Sequence, residues 1–86
     1  MATISIRRIR VDTLSADEDG RLIILQGRLI GVLVRLESEE QGPLRGRWSL
    51  EAGFGPLSSE RPEPFADLSG AREWARRILD QRPPRP

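Results

Sequence analysis

Hydrophobic residues are concentrated in four short segments in the first two-thirds of the chain, separated by polar and glycine-containing stretches, and this pattern predicts β-strands. Residues that favour strands, above all Ile, Val, Phe and Trp, are concentrated in these segments. The expected strands cover residues 3–12, 21–25, 28–37 and 45–54. The last has the clearest alternation, with Trp48, Leu50, Ala52 and Phe54 set against Arg47, Ser49 and Glu51.

A two-residue turn, Gln26-Gly27, separates the second and third strands. Two strand-like segments joined by two residues with glycine second predict a β-hairpin, because glycine accepts the positive φ that such turns require. This turn fixes the expected pairing, which places Leu25 opposite Arg28, Ile24 opposite Leu29 and Ile23 opposite Ile30.

The first segment contains a change of phase, from apolar Ile4 and Ile6 to apolar Ile9 and Val11. Either a β-bulge lies near Arg7 and Arg8, or both faces of this strand are partly covered. The acidic run 17–19 that follows ends in a glycine, and we interpret it as a solvated loop.

Near residue 67 the hydrophobic period changes from two to that of a helix. Asp67 is a plausible N-cap, and Pro83 cannot continue a helix. The apolar positions at helical spacing are Leu68, Ala71, Trp74, Ala75, Ile78 and Leu79. The predicted fold is α+β, a three- to four-stranded antiparallel β-meander with one C-terminal amphipathic helix packed on one face, in ββββα order. Residues 1–86 then form a single small domain, with a disordered Arg/Pro tail at 82–86.

One helix can cover only one face of such a sheet, and both faces of the central hairpin are apolar. Regular alternation assigns Ile23, Ile30, Val32, Val34, Leu36, Trp48, Leu50 and Ala52 to the helix side. It assigns Leu22, Ile24, Leu29, Gly31, Leu33, Arg35, Arg47 and Glu51 to the other side. Alternatively, residues 3–12 or 53–64 fold across that second face and complete an ordinary core.

A large uncovered apolar patch usually marks an interaction site. We therefore expect a small non-enzymatic interaction or accessory domain that presents a sheet surface to a protein partner or to its own copy as a homodimer. The candidate interface residues are Leu22, Ile24, Leu29, Leu33, Arg35 and Arg47.

The composition removes most kinds of chemistry, because the chain has no histidine and no cysteine. The usual nucleophile and base pairs and nearly all transition-metal sites need one or the other. We expect no enzymatic activity, no cofactor and no metal.

Nucleic-acid binding is the alternative function. All fourteen basic residues are arginine, which suits phosphate contacts, but thirteen acidic residues leave a net charge of +1. The arginine excess, with no lysine, also fits a G+C-rich bacterial genome. The candidate arginines for this function, on neighbouring predicted strands, are Arg8, Arg10, Arg35, Arg45 and Arg47.

The segment Gly46-Arg47-Trp48-Ser49-Leu50-Glu51, followed by Phe65 and Ala71, resembles the spacing in plant-type GCC-box-binding domains. That resemblance implies a sheet of three strands and a helix that reads DNA. It covers a short part of the chain. The family's dense basic first strand is missing here, and a proline-rich interval replaces the strand that the family has before its helix.

No secretory signal is evident at the start, and the longest apolar stretch, residues 22–36, is interrupted by polar side chains. It is also shorter than the roughly 20 residues that a membrane-spanning helix needs. We expect a cytoplasmic protein without a membrane segment.

Overall fold

The computed structural model describes residues 3–14 and 17–81, which form a four-stranded antiparallel sheet followed by one helix. The strands lie side by side in chain order, so the predicted α+β fold and its ββββα order are confirmed. The predicted tail at 82–86 lies outside the described residues. The elements are β1 (Ile4–Arg10), β2 (Asp19–Leu25), β3 (Arg28–Arg35), β4 (Trp48–Gly53) and α1 (Leu68–Gln81), with 3₁₀ segments at Glu39–Leu44 and Gly55–Leu57.

The turn between β2 and β3 has the predicted form. Gln26 and Gly27 have φ values of 51° and 80°. Two consecutive positive φ angles match the right-handed twist of the flanking strands, and glycine adopts such an angle without steric cost. The predicted pairs Leu25 with Arg28 and Ile24 with Leu29 are both present.

Two register shifts then overturn the predicted assignment of faces. Ile23 pairs with Gly31 instead of Ile30, and between β3 and β4 the partner changes from Ala52 at Val32 to Leu50 at Leu33. An extra residue on one strand inverts the alternation beyond it, because side chains switch faces at every residue.

The inversion corrects six positions, one of which is Arg35, placed on the helix side by its pairing with Trp48. Gly31 and Leu33 lie on the helix side, where Leu33 is fully buried in the core and a Cβ on Gly31 would meet the Leu57 side chain. Through their pairing, Val32, Val34 and Ala52 lie on the other side.

The phase change in β1 has the second of the two predicted explanations. The pairing between β1 and β2 runs without a shift from Ile4 opposite Leu25 to Arg10 opposite Asp19, so no bulge lies near Arg7 and Arg8. Ile4 is buried in the core, whereas Ile9 lies on the other face and is 40% exposed. Both faces of this strand therefore carry apolar side chains.

The core lies between the sheet and α1. Ala71 and Ala75 are fully buried, and their small side chains allow the helix to approach the strands closely. Asp67 caps the helix as predicted, since the Gly70 N–H donates to its carboxylate at 2.7 Å. The buried core residues are Ile4, Ile23, Ile30, Leu33, Trp48, Leu57, Ala71 and Ala75.

The connection between β4 and α1 also packs on the helix side. Leu57 is fully buried there, although no periodicity marks it in the sequence. Gly53 permits this approach, because a Cβ at that position would lie 2.2 Å from the Leu57 carbonyl oxygen. Farther along, Phe65 and Trp48 exchange two backbone hydrogen bonds of 2.7 and 2.8 Å. Phe65 therefore covers part of the outer edge of β4.

Substitution of Trp48 tests its place in the core. Its ring is 8% exposed and lies under the Arg21 guanidinium, 4.8 Å from the ring centroid. We expect Trp48→Ala to lower the free energy of unfolding by about 3 to 5 kcal/mol, as for other large core truncations. Arg47→Ala, at the exposed neighbouring position, should change it by less than about 0.5 kcal/mol. Chemical denaturation measures both, and similar losses would contradict this assignment.

Candidate functional site

The face of the sheet opposite α1 carries a continuous group of apolar side chains. Leu22 lies beside Val32, and Val32 beside Ala52, across three strands, while Ile24 lies beside Leu29. Phe54 continues the alternation of β4 on this side. We call this group the open face; it consists of Ile9, Leu22, Ile24, Leu29, Val32, Ala52 and Phe54.

Neither segment proposed to cover this face does so. Residues 3–12 contain β1, which is an edge strand of the sheet itself, and the connection 53–64 packs on the helix side through Leu57. Leu29 is 42% exposed and Phe54 is 46% exposed, while Leu22 and Ile24 are half-buried among their neighbours. Within residues 3–14 and 17–81, the hairpin end of the open face has no covering layer.

The other end of this face is covered by the loop between β1 and β2. Gly20 makes room for that loop, because a Cβ there would lie 2.6 Å from the Val11 side chain. Val34 and Leu36 are both buried but do not belong to the main core cluster. Val34 lies on the side opposite the helix through its pairing with Gly20, and Leu36 shares that side by alternation, which corrects the prediction that both residues lie under the helix.

Asp17 holds this loop in place. Its carboxylate accepts hydrogen bonds from the backbone N–H groups of Glu37 at 2.6 Å and Ser38 at 2.8 Å, and from the Gln41 side-chain amide at 3.1 Å. The Glu37 hydrogen bond contributes most to lowering the pKa of Asp17 from its ordinary value of 3.8, with the Ser38 and Gln41 bonds adding to it and burial opposing it.

The interpretation of residue 17 as a solvated loop position is therefore wrong. Asp17 is one of three consecutive acidic residues, and nothing in the neighbouring sequence indicates that distant backbone groups will surround it. Its partners are twenty or more residues away in the chain, so only the tertiary fold reveals its role as a structural anchor.

The six predicted interface residues divide into two groups. Leu22, Ile24 and Leu29 lie together on the open face. Leu33 lies in the core, and Arg35 pairs across the strands with Trp48 on the helix side. Arg47 is exposed immediately before β4. The members of the open face that are absent from the predicted set are Ile9, Val32, Ala52 and Phe54.

The arginines considered for nucleic-acid binding are accompanied by acidic residues. Arg8, Arg10 and Arg35 line one open hollow together with Ile9, Glu18, Asp19 and Glu37. Their closest charged atoms are 3.8 Å apart for Arg8 and Asp19, 3.7 Å for Arg10 and Glu18, and 3.5 Å for Arg35 and Glu37. The hollow therefore contains equal numbers of basic and acidic side chains.

Among residues 3–14 and 17–81, no three acidic side chains are grouped so that they could hold a metal ion. Every buried side-chain nitrogen or oxygen in that part has a hydrogen-bond partner. No described helix is long and apolar enough to cross a membrane.

Comparisons with known proteins give no relative: no protein-family model, curated protein or solved structure matches this chain. The local resemblance to GCC-box-binding domains also has no support in the fold, because no described strand lies between β4 and α1.

Replacing Asp17 tests the anchor. Asp17→Asn keeps the size of the side chain but replaces the carboxylate with an amide. Two backbone N–H groups then face either the amide NH2, which cannot accept a hydrogen bond, or a neutral carbonyl, which accepts more weakly than a carboxylate. We expect the free energy of unfolding to fall by about 2 to 3 kcal/mol near neutral pH, since hydrogen bonds to a buried charge are lost. The neighbouring Glu18→Gln, at a side chain that is 54% exposed, should have an effect within about 0.5 kcal/mol.

The difference in the free energy of unfolding between the wild type and Asp17→Asn should depend on pH. A folded-state pKa below the ordinary value means that the anchor stabilises the protein fully above that value and is lost as the carboxylate is protonated in acid. The stability difference between the wild type and Asp17→Asn should be constant from about pH 6 to 8 and should shrink below about pH 4. A difference that grows in acid would contradict the assignment.

Proposed function

We propose that this protein is a non-enzymatic interaction domain whose open face binds a second copy of the chain. The observation that carries the proposal is the apolar surface on the hairpin end of the sheet, which no described segment covers. A small domain buries a limited fraction of its surface, so association that removes this patch from water stabilises it. Two-fold self-association is the commonest way to bury such a surface.

The charges at the two edges of the sheet favour a second copy. Arg7 is exposed on β1, which forms one edge, and Glu51 is exposed on β4, which forms the other. If two open faces stack about a two-fold axis parallel to the strands, β1 of each copy lies over β4 of the other. Arg7 then approaches Glu51 twice in the dimer. An axis perpendicular to the strands would place Arg7 over its own counterpart, which is unfavourable.

The size of the surface sets the strength of association. Four strands of about seven residues, with the ordinary strand spacing, give a face of roughly 400 Å² in projection. The loop anchored by Asp17 reduces the accessible part further. Standard stable interfaces bury about 800 Å² on each partner, so we expect a weak and reversible dimer.

Replacing one exposed leucine on the open face tests the proposal. Leu29→Glu should raise the dimer dissociation constant by roughly tenfold or more, because it places a charge in the apolar centre of the contact. The matched control is Leu44→Glu, since Leu44 is 40% exposed but lies in the 3₁₀ segment after β3. Sedimentation equilibrium from low to high micromolar concentration gives the constants. A wild-type protein that stays monomeric throughout would contradict the proposal.

Charge reversal tests the arrangement of the two copies. Arg7→Glu and Glu51→Arg should each weaken the dimer, because each places like charges at both edge contacts. The double variant Arg7→Glu/Glu51→Arg should restore the wild-type dissociation constant within a factor of about three. Effects of the two changes that simply add would exclude the axis parallel to the strands while leaving the open face as the interface.

Nucleic-acid binding has less support from the charges. The arginines of the hollow are paired with carboxylates, and Glu51 lies on the same strand that Arg47 precedes. Phosphate contacts by several arginines would make binding depend on salt concentration. Because the arginines here are paired with carboxylates, we expect no retardation of short duplex or single-stranded oligonucleotides at low salt. A shift abolished by Arg35→Glu and Arg47→Glu would favour the nucleic-acid function instead.

A further inference from the structure

The two edges of the sheet differ in how their backbone groups are satisfied. At β4, Phe65 pairs with the outer side of Trp48 through two hydrogen bonds. At β1, no described segment lies on the outer side. Along a free edge, alternate residues direct an unpaired N–H and C=O outward and can template another strand.

The register identifies which groups of β1 face outward. The Gln26 N–H donates to the Thr3 carbonyl, and the Val11 N–H donates to the Glu18 carbonyl. Both partners on the β1 side are odd-numbered, and the pairing between them is continuous. Because hydrogen-bonding direction alternates along an antiparallel strand, the even-numbered residues point their backbone groups outward. At the exposed half of the strand these are Ile6, Arg8 and Arg10.

The side chains along this edge are strongly basic. Arg7, Arg8 and Arg10 are all exposed. Among the described residues Arg7 forms no ion pair, and Arg8 and Arg10 contact carboxylates only at 3.8 and 3.7 Å. Such exposed pairs contribute little and exchange readily for a better partner. An added strand would therefore meet arginines on both of its faces, from Arg7 on the open-face side and from Arg8 and Arg10 on the other.

This pattern also opposes pairing of β1 with another copy of itself. In an antiparallel arrangement centred on Arg7, the two Arg7 side chains would be directly opposite each other, with further arginines at both ends. Like charges directly opposite across strands are destabilising. The edge thus excludes its own copy and favours an acidic strand.

We propose that the outer edge of β1 binds an extended acidic peptide segment of another protein by β-strand addition. Backbone hydrogen bonds to Ile6, Arg8 and Arg10 supply the pairing, and Arg8 and Arg10, which share one face, select acidic side chains at alternate positions of the added strand. This surface is distinct from the open face, because the edges of a stacked pair of sheets remain accessible.

A synthetic peptide provides the test. The probe is a fluorescein-labelled peptide of sequence Thr-Glu-Val-Glu-Val-Glu-Thr, and its binding to the wild-type protein is measured by fluorescence anisotropy at physiological salt. Two derivatives carry N-methyl groups on alternate residues, one on the odd and one on the even set. Only one set of N–H groups faces β1, whichever register the peptide adopts.

We expect one N-methylated derivative to bind like the parent peptide and the other to bind at least about tenfold more weakly, since it loses two or more backbone hydrogen bonds. Equal binding of the two derivatives, or no saturable binding of the parent, would overturn the proposal. The wild-type protein is used throughout, so the result does not depend on whether a variant folds.

Charge variants give an independent readout. Arg8→Glu/Arg10→Glu should abolish measurable binding of the parent peptide. The control Arg61→Glu/Arg77→Glu changes the net charge equally at exposed positions away from β1 and should leave the affinity within about threefold. Loss of affinity in both variants would mean that the peptide is attracted by the overall charge of the protein, and it would contradict a binding site on β1. Leu29→Glu should bind the peptide normally, which separates this proposal from dimerisation.

Discussion

The structure depends on an imbalance between one helix and a sheet that is apolar on both faces. α1 has 14 residues, and its apolar side packs against one face, where it buries Ala71 and Ala75 with the central strands. The second face receives only partial cover, from the loop anchored by Asp17. A chain of 86 residues has a small free energy of unfolding. The uncovered apolar half therefore lowers the stability of the isolated chain and favours association that would bury it.

The two bulges determine which side chains lie on each face. Without them, Leu33 would lie on the open side and Val32 and Ala52 under the helix. With them, the largest of these three side chains is buried in the core and the two smaller ones remain in the open face. Gly31 and Gly53 face each other on the helix side, and the 3₁₀ turn carrying Leu57 packs in the space they leave. The bulges place the two glycines on the helix side, and the glycines leave the space that Leu57 fills, so the three features depend on one another.

Features set by local sequence were predictable, and features set by distant contacts were not. The Gln26-Gly27 turn, the period of α1 and the Asp67 cap each depend on a few neighbouring residues, and all three are present. The bulges have no local mark, because the extra residue is defined only against a partner strand. Regular alternation therefore placed Leu22, Ile24 and Leu29 correctly but failed for Leu33 and Arg35, which follow the first bulge. The role of Asp17 depends on backbone groups twenty residues away.

The edges of the sheet carry charges that oppose pairing with further strands, which an unprotected edge would allow. Phe65 and the bulge protect β4, and arginines protect β1. Arginine repels another β1 and attracts carboxylates, so under the proposed strand addition the same side chains would oppose edge-to-edge aggregation and select an acidic strand. The two edge strands also carry exposed residues of opposite charge, Arg7 on β1 and Glu51 on β4. Under the proposed arrangement, self-association would be favoured between faces and disfavoured between edges, and assembly would stop at a pair.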